Sequence, residues 1–258
     1  MTRPPPSQTP DLFAADPLPA REQRLAETFV ELADTLVEGF DLMEFLYTLV
    51  ERCTEFLDVT AVGLMFGDEQ GRLRVAASSN EATRLLELFQ LQAGEGPCLE
   101  CYRSGNPVEE PDMAQARARW PLFAPEAVRA GFRTVHALPM RLRERTVGSL
   151  NLFHVNPEAL PPATTRLAQS LIDVATIGLI QVHGGQRSDV LLDRLQLALL
   201  TRVVIEQAKG VMAERRGITP DEAFMLLRSH ARASELRLTE LAYAVIEGDS
   251  EHLLWTLS

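Results

Sequence analysis

From residue 21 onward apolar positions recur at intervals of three and four, with Leu25, Phe29, Leu32 and Leu36 on one face, which predicts an amphipathic helix. Asp41 and Glu44 have the spacing of a capping box and open a second helix that runs to about Phe56. The period then changes. Residues 60–66 are rich in β-formers, 67–71 carry turn chemistry and 72–76 alternate, so this stretch predicts a hairpin. A helix follows over about 81–92. The loop Gly94-Glu-Gly-Pro-Cys98 places Pro97 in the first turn of a short helix that ends near Gly105. Residues 108–110 form a short strand, residues 119–131 a loop and helix, and residues 134–142 and 146–155 a second hairpin across 143–145. Two hairpins with intervening and flanking helices predict an α+β domain built on an antiparallel sheet.

Helical spacing resumes at Pro161-Pro162, where Leu167, Leu171, Val174, Ile177 and Ile180 line the helix. Gly184-Gly185 interrupts it as a hinge, since paired glycines are poor helix formers. The next helix starts near Ser188 with two apolar stripes, Leu192, Leu195, Leu199 and Val203 on one and Leu197, Leu200 and Val204 on the other. One stripe suffices to pack a helix on its own domain, so a second predicts a parallel homodimer. Thr219-Pro-Asp-Glu222 is a complete helix start, with a capping residue, proline at the first helical position and glutamate at the third. Its helix carries Ala223, Phe224, Leu227 and Ala231 on one face, with Arg228 and Arg232 opposite. A last helix, 240–247, stops at Gly248. Small residues at Ala208, Ala223, Ala231 and Ala244 allow close packing of three short helices. The chain therefore divides into a disordered tail at 1–20, where six prolines fall, a sheet domain at 21–183, a helical linker or coiled coil at 184–200, an all-α unit at 201–248 and a tail at 249–258.

Composition changes this picture little: 258 residues, 46% apolar and 24% charged, suit a globular protein. The longest nearly apolar run, 171–182, carries Asp173 and falls short of the roughly 18 residues a membrane span needs. With three cysteines and no basic-then-apolar leader, the expectation is a cytoplasmic protein without disulfides. Charge is more informative. The net of −11 is uneven, for residues 201–237 hold 7 basic and 5 acidic side chains. That window contains Lys209, the one lysine among 25 cationic residues. Arg202, Lys209 and Arg216 are seven apart, a basic stripe about 20 Å long that could follow a phosphate backbone. Arg215, Arg228 and Arg232 lie nearby, so structured RNA is a chemically reasonable partner. Spacing alone favours an ordinary solvated helix face.

A resemblance decides between these. Leu195-Gln-X-Ala-Leu199, Arg202, Ile205-Glu-Gln-Ala-Lys-Gly210, Glu222-Ala-Phe224, Leu227-Arg228, Ala231 and Leu241-Ala242 resemble the ANTAR pattern over almost its whole length. Gly94-Glu-Gly-Pro-Cys98, Arg119-Trp-Pro121, Gly131-Phe-Arg133, His136-Ala-Leu-Pro-Met140 and Gly148-Ser-Leu-Asn-Leu-Phe153 resemble the actinobacterial GAF domains that precede an ANTAR domain. The resemblance implies a curved sheet with a cavity on one face for a signal, and a transcription antiterminator that binds paired stem-loops in nascent RNA as a dimer. By that resemblance Gln207, Lys209, Arg228 and Arg216 are the leading contacts, with Arg202, Arg215 and Arg232 beside them. Phe224 is expected in the core, and Tyr243 at its rim or as a stacking platform.

Four further residues are sensor candidates. Cys98 and Cys101 share a helix face and suit either a dithiol switch, with Cys98 activated at a helix N-terminus, or simple packing. His136 and His154 fall on strands, as cavity ligands or as satisfied histidines. Cys53, on a leucine-rich helix, is expected in the core. No assembled metal site, phosphate loop or nucleophilic triad is found, so neither cofactor nor enzymatic activity is expected. Two other functions remain: a GAF-based thiol or small-molecule sensor whose helical tail only dimerises, and DNA binding by the three-helix unit. The last is disfavoured by a final helix without Arg or Lys.

Overall fold

A computed structural model describes the backbone of residues 41–142, 144–181 and 188–248, with Glu27, Thr28 and Val30 besides. Side chains at 178–181 and 188–196 are not among those described. The helix expected from residue 21 therefore falls almost wholly outside the described residues. So do the two tails and the Gly184-Gly185 hinge.

Helix α1 (Leu42–Leu57) starts where Asp41 accepts hydrogen bonds from the Met43 and Glu44 amides. Strands β1 (Ala61–Gly67) and β2 (Leu73–Ser78) form the first hairpin. Helices α2 (Glu81–Ala93) and α3 (Pro97–Ser104) follow, then β3 (Val108–Glu110) and α4 (Phe123–Arg129). The second hairpin is β4 (Thr134–Leu142) with β5 (Arg145–His154). The sheet has five antiparallel strands in the order β2-β1-β5-β4-β3, so the α+β expectation holds.

Alternation along the strands gives the sheet two apolar faces. Leu64, Leu138, Leu150 and Leu152 meet α1 and helix α5 (Pro162–Gln181) on one face. Val135, Ala137 and Phe153 meet Met113, Trp120 and Phe123 on the other. Within α5, Leu171, Ile172 and Ala175 are buried, but Ile177 is 52% exposed and does not line the core.

The C-terminal unit comprises α6 (Ser188–Arg216), α7 (Pro220–Ala233) and α8 (Leu238–Glu247). Helix α6 runs unbroken through residues 200–201. Its inward positions are Ala198, Ile205, Ala208 and Met212, with Leu199 and Val204 half-buried. Leu197, Leu200 and Val203 form an exposed outer stripe. The expected stripes thus exchange members: Val203 belongs outside and Val204 inside, because at 100° per residue the inner face drifts across a strict heptad. The apolar cluster of this unit is continuous with that on the α1 face of the sheet domain. The two units are docked.

Candidate nucleic-acid interface

Helix α7 is set by its start. The Thr219 hydroxyl accepts from the Glu222 amide at 3.2 Å, and the Glu222 carboxylate accepts from the Thr219 amide at 2.8 Å. This fixes which face carries Arg228 and Arg232, four residues apart and so side by side. That face meets α1. Arg228 binds Glu44 through Nε and Nη2 at 3.1 and 2.9 Å and reaches Glu51 at 3.3 Å and the Thr48 hydroxyl at 3.3 Å. Arg232 binds Glu44 at 2.8 Å and Glu51 at 3.5 Å. Glu44 is therefore drawn outward, to the arginines of α7. Burial opposes the charge of Arg232, but Glu44 and Glu51 raise its pKa on balance.

On α6, Lys209 is 6% exposed and Arg202 7%. The Lys209 ammonium lies 3.2 Å from Glu81 of α2 and 3.0 Å from Glu206 of its own helix, and 5.5 Å from the Phe224 ring centre. Burial works against the charge of Glu81, yet hydrogen bonds from Arg84 and the field of Lys209 hold its carboxyl below the usual range. Arg202 donates to the Val75 carbonyl on β2 and stands 3.7 Å from Glu206. The Arg202–Lys209–Arg216 stripe is consequently not a uniform solvent face: its first two members sit in the seam, because seven-residue spacing keeps them on the side of α6 that packs on the sheet domain. Arg216 is half-buried, while Gln207 and Arg215 are exposed.

Two further contacts tie the seam. The Asp221 carboxylate, in the first turn of α7, accepts from the Glu81 amide at the start of α2 at 2.8 Å. Asp41, at the start of α1, accepts from the Thr239 amide at 3.3 Å at the start of α8. Each carboxylate lies at the positive end of a helix from the other unit. Phe224, expected in the core, is half-buried with its ring centre 4.4 Å from Tyr47 of α1, and Tyr243 is 51% exposed. Burial pushes the Tyr47 phenol up to about 12. The carboxylates Glu44, Glu51, Glu81 and Glu206, and the Tyr47 ring, were missed by sequence reasoning. Glu44 and Glu51 have helical spacing that would place them on one face, but nothing local says that arginines 177 to 188 residues away complete the pairs.

The four sensor candidates are not brought together. Strand register puts His136 and His154 on the α1/α5 face of the sheet, and Cys98 and Cys101, on the inner side of α3, pack against the other. His136 Nε2 accepts from the Leu160 amide at 3.1 Å, and burial, opposed by Glu109, lowers its pKa; it is a satisfied strand histidine. His154 Nδ1 accepts from the Asn156 amide at 3.0 Å. Cys98 and Cys101 are both fully buried, and burial lifts both thiols, Cys101 to about 11, so proximity to the α3 N-terminus does not activate Cys98. Cys53 is core, as expected.

Beside the cysteines lies a buried polar group the helical pattern concealed. Glu87 is 0% exposed and accepts from Asn151 at 2.8 Å and Gln90 at 3.0 Å. Its carboxyl occupies the space that a side chain at Gly63 would fill. Burial raises its pKa to about 8. Among the described residues no group of three or more His, Cys, Asp or Glu could hold a metal ion, and no helix is long and apolar enough to cross a membrane.

Comparison with known proteins bears on both units. Residues 41–179 match the model of a GAF domain and residues 193–246 that of an ANTAR domain. No curated protein matches the chain. Among solved structures, the chain is similar to the GAF domain of an Acinetobacter phosphoenolpyruvate-protein phosphotransferase, at 15% identity and a TM-score of 0.48, over 64% of this chain and 98% of that one. It is also similar to a GAF domain/HD domain protein from Geobacter sulfurreducens, at 16% identity and a TM-score of 0.45, over 66% and 98%. A third is the free methionine-R-sulfoxide reductase from Neisseria meningitidis in complex with its substrate, at 16% identity and a TM-score of 0.45, over 64% and 93%.

Proposed function

Since the chain belongs to the GAF domain family and carries an ANTAR match behind that domain, we propose that it is an RNA-binding transcription antiterminator whose GAF domain controls access to the RNA-binding surface. The observation that carries this is the occupancy of the seam. Lys209, Arg228 and Arg232, three of the cations selected as RNA contacts, are held by Glu81, Glu44 and Glu51 of the GAF domain. Those carboxylates stand where phosphates would stand, so RNA and the GAF domain compete for the same side chains. In the docked arrangement Gln207 and Arg215 remain accessible for first contact. Undocking supplies the rest. A dimer formed through Leu197, Leu200 and Val203 would present two units to paired stem-loops, and the gain from tethering makes avidity sensitive to small changes in geometry.

Binding to a tandem stem-loop RNA tests this. The full chain carrying Glu44→Gln, Glu51→Gln and Glu81→Gln together binds at least about tenfold more tightly than the wild type, since each lost pair removes a competitor. In that background Lys209→Ala and Arg228→Ala each weaken binding again. Equal binding by all of these proteins, or none by any, would remove the reading.

A second reading has one observation in its favour: Arg202 and Lys209 are buried, as structural residues are. There the GAF domain is a thiol or small-molecule sensor and the helical tail only dimerises. It predicts no RNA binding by the opened variant at any salt concentration.

A further inference from the structure

A groove of about 710 Å³ runs along the seam between the β1–β2 hairpin, α2 and α6. This volume is within the range of small-molecule sites. Both domains build it. Its floor is apolar, from Leu88 and Leu91 of α2 and Leu199 of α6. Its walls are cationic, and that is unusual in a chain whose net charge is −11.

Four arginines line the groove, Arg72, Arg74, Arg84 and Arg202, against two carboxylates. Arg72 and Arg74 share Asp68, at 3.2 and 3.1 Å. Arg84 and Arg202 share Glu206, at 3.5 and 3.7 Å, and Glu206 is also bound by Lys209. Arg84 is satisfied further by Glu81. Arg202 is not fully satisfied: its side chain is 8% exposed and its Nε has no hydrogen-bond partner. A buried guanidinium donor without an acceptor costs free energy, which an incoming anion recovers.

We propose that this groove is a binding site for a small amphipathic carboxylate, its head group at Arg202 and Arg84 and its aliphatic body along Leu88, Leu91 and Leu199. The apolar floor requires a hydrocarbon body rather than a bare anion. Against the four arginines, Asp68 and Glu206 leave an excess of two positive charges, which favours an anion, while the apolar floor selects one that carries a hydrocarbon body. Residues of both domains line the site, so an occupant favours the docked arrangement over the open one. That consequence rests on the proposed function; the binding does not.

Decanoate, below the concentration at which it forms micelles, is the probe. Calorimetric titration of the full chain with decanoate gives one site per chain, whereas decanol and inorganic phosphate bind at least about tenfold more weakly. Leu88→Glu, at a half-exposed position where the fold tolerates a charge, abolishes binding while leaving the circular dichroism and Tm of the free protein unchanged. Arg84→Gln weakens binding and leaves decanol unaffected. Saturating decanoate slows amide exchange in β2 and α6. It also weakens RNA binding by about tenfold at ten times its Kd. Equal affinity for decanol would make the groove merely apolar, and preferential binding of phosphate would reverse the assignment of the body. If no probe binds and the protein is a dimer with α6 protected, a second copy fills the groove and the proposal falls. Decanoate binding without RNA binding by any variant would leave the site standing and remove the function; RNA binding insensitive to bound decanoate would remove only the coupling.

Discussion

Burial between α2 and the sheet raises the Glu87 carboxyl from 4.5 to about 8, which favours its neutral form at pH 7. Asn151 and Gln90 both donate to it, while the Asn151 carbonyl oxygen has no partner. The sign of the linkage follows from the raised pKa. Between 4.5 and about 8 the folded protein holds a proton that the unfolded chain has lost, so stability falls as pH rises through that window. The Tm of the wild type should therefore drop from pH 6 to pH 9, and Glu87→Gln should flatten the decline. An unchanged slope in the variant would place the titrating group elsewhere.

Among the elements, the β1–β5 pair leaves no room for a side chain at Gly148. Gly148 stands opposite Phe66, and a Cβ there would meet the Met65 carbonyl and lie 2.8 Å from the Phe66 ring. Backbone cannot yield as a side-chain tip can. Gly148→Ala is expected to destabilise the fold by about 1–3 kcal/mol, the usual range for overpacking, measured by urea denaturation. Loss of less than about 0.5 kcal/mol, the range of neutral surface changes, would mean that the strands separate easily. The helices of the C-terminal unit draw on a different resource. Helix α7 is short and owes its start to the Thr219–Glu222 box, but its position to ion pairs with α1.

For the whole molecule, salt acts on two things at once. Each phosphate contact contributes roughly −0.7 to −0.9 to the slope of log affinity against log salt, so RNA binding weakens as salt rises. The same salt screens the exposed pairs of the seam, such as Arg232–Glu51, with both side chains near half exposure, and so promotes opening. These effects oppose each other in the wild type and not in the variant carrying Glu44→Gln, Glu51→Gln and Glu81→Gln. The wild type should thus show the shallower slope between 50 and 300 mM salt, by roughly one unit or more, about one contact's worth. Parallel slopes would mean that docking does not compete with RNA.

Local pattern settled most of the elements. The change of period from 3.6 to 2 marked the hairpins, Pro97 and Thr219 opened α3 and α7, and Gly248 closed α8, because caps, turns and periodicity depend on neighbours in the chain. The cations Arg202, Lys209, Arg228 and Arg232 were also legible, since their spacing is fixed by the helix that carries them. Their partners were not. Glu44, Glu51 and Glu81 carry no sign that they face Arg228, Arg232 and Lys209, and Glu87 gives no sign that Gly63 makes room for it. Tertiary packing decided these, because burial and ion pairing depend on what lies across a seam, and a side chain's neighbours along the chain do not specify that.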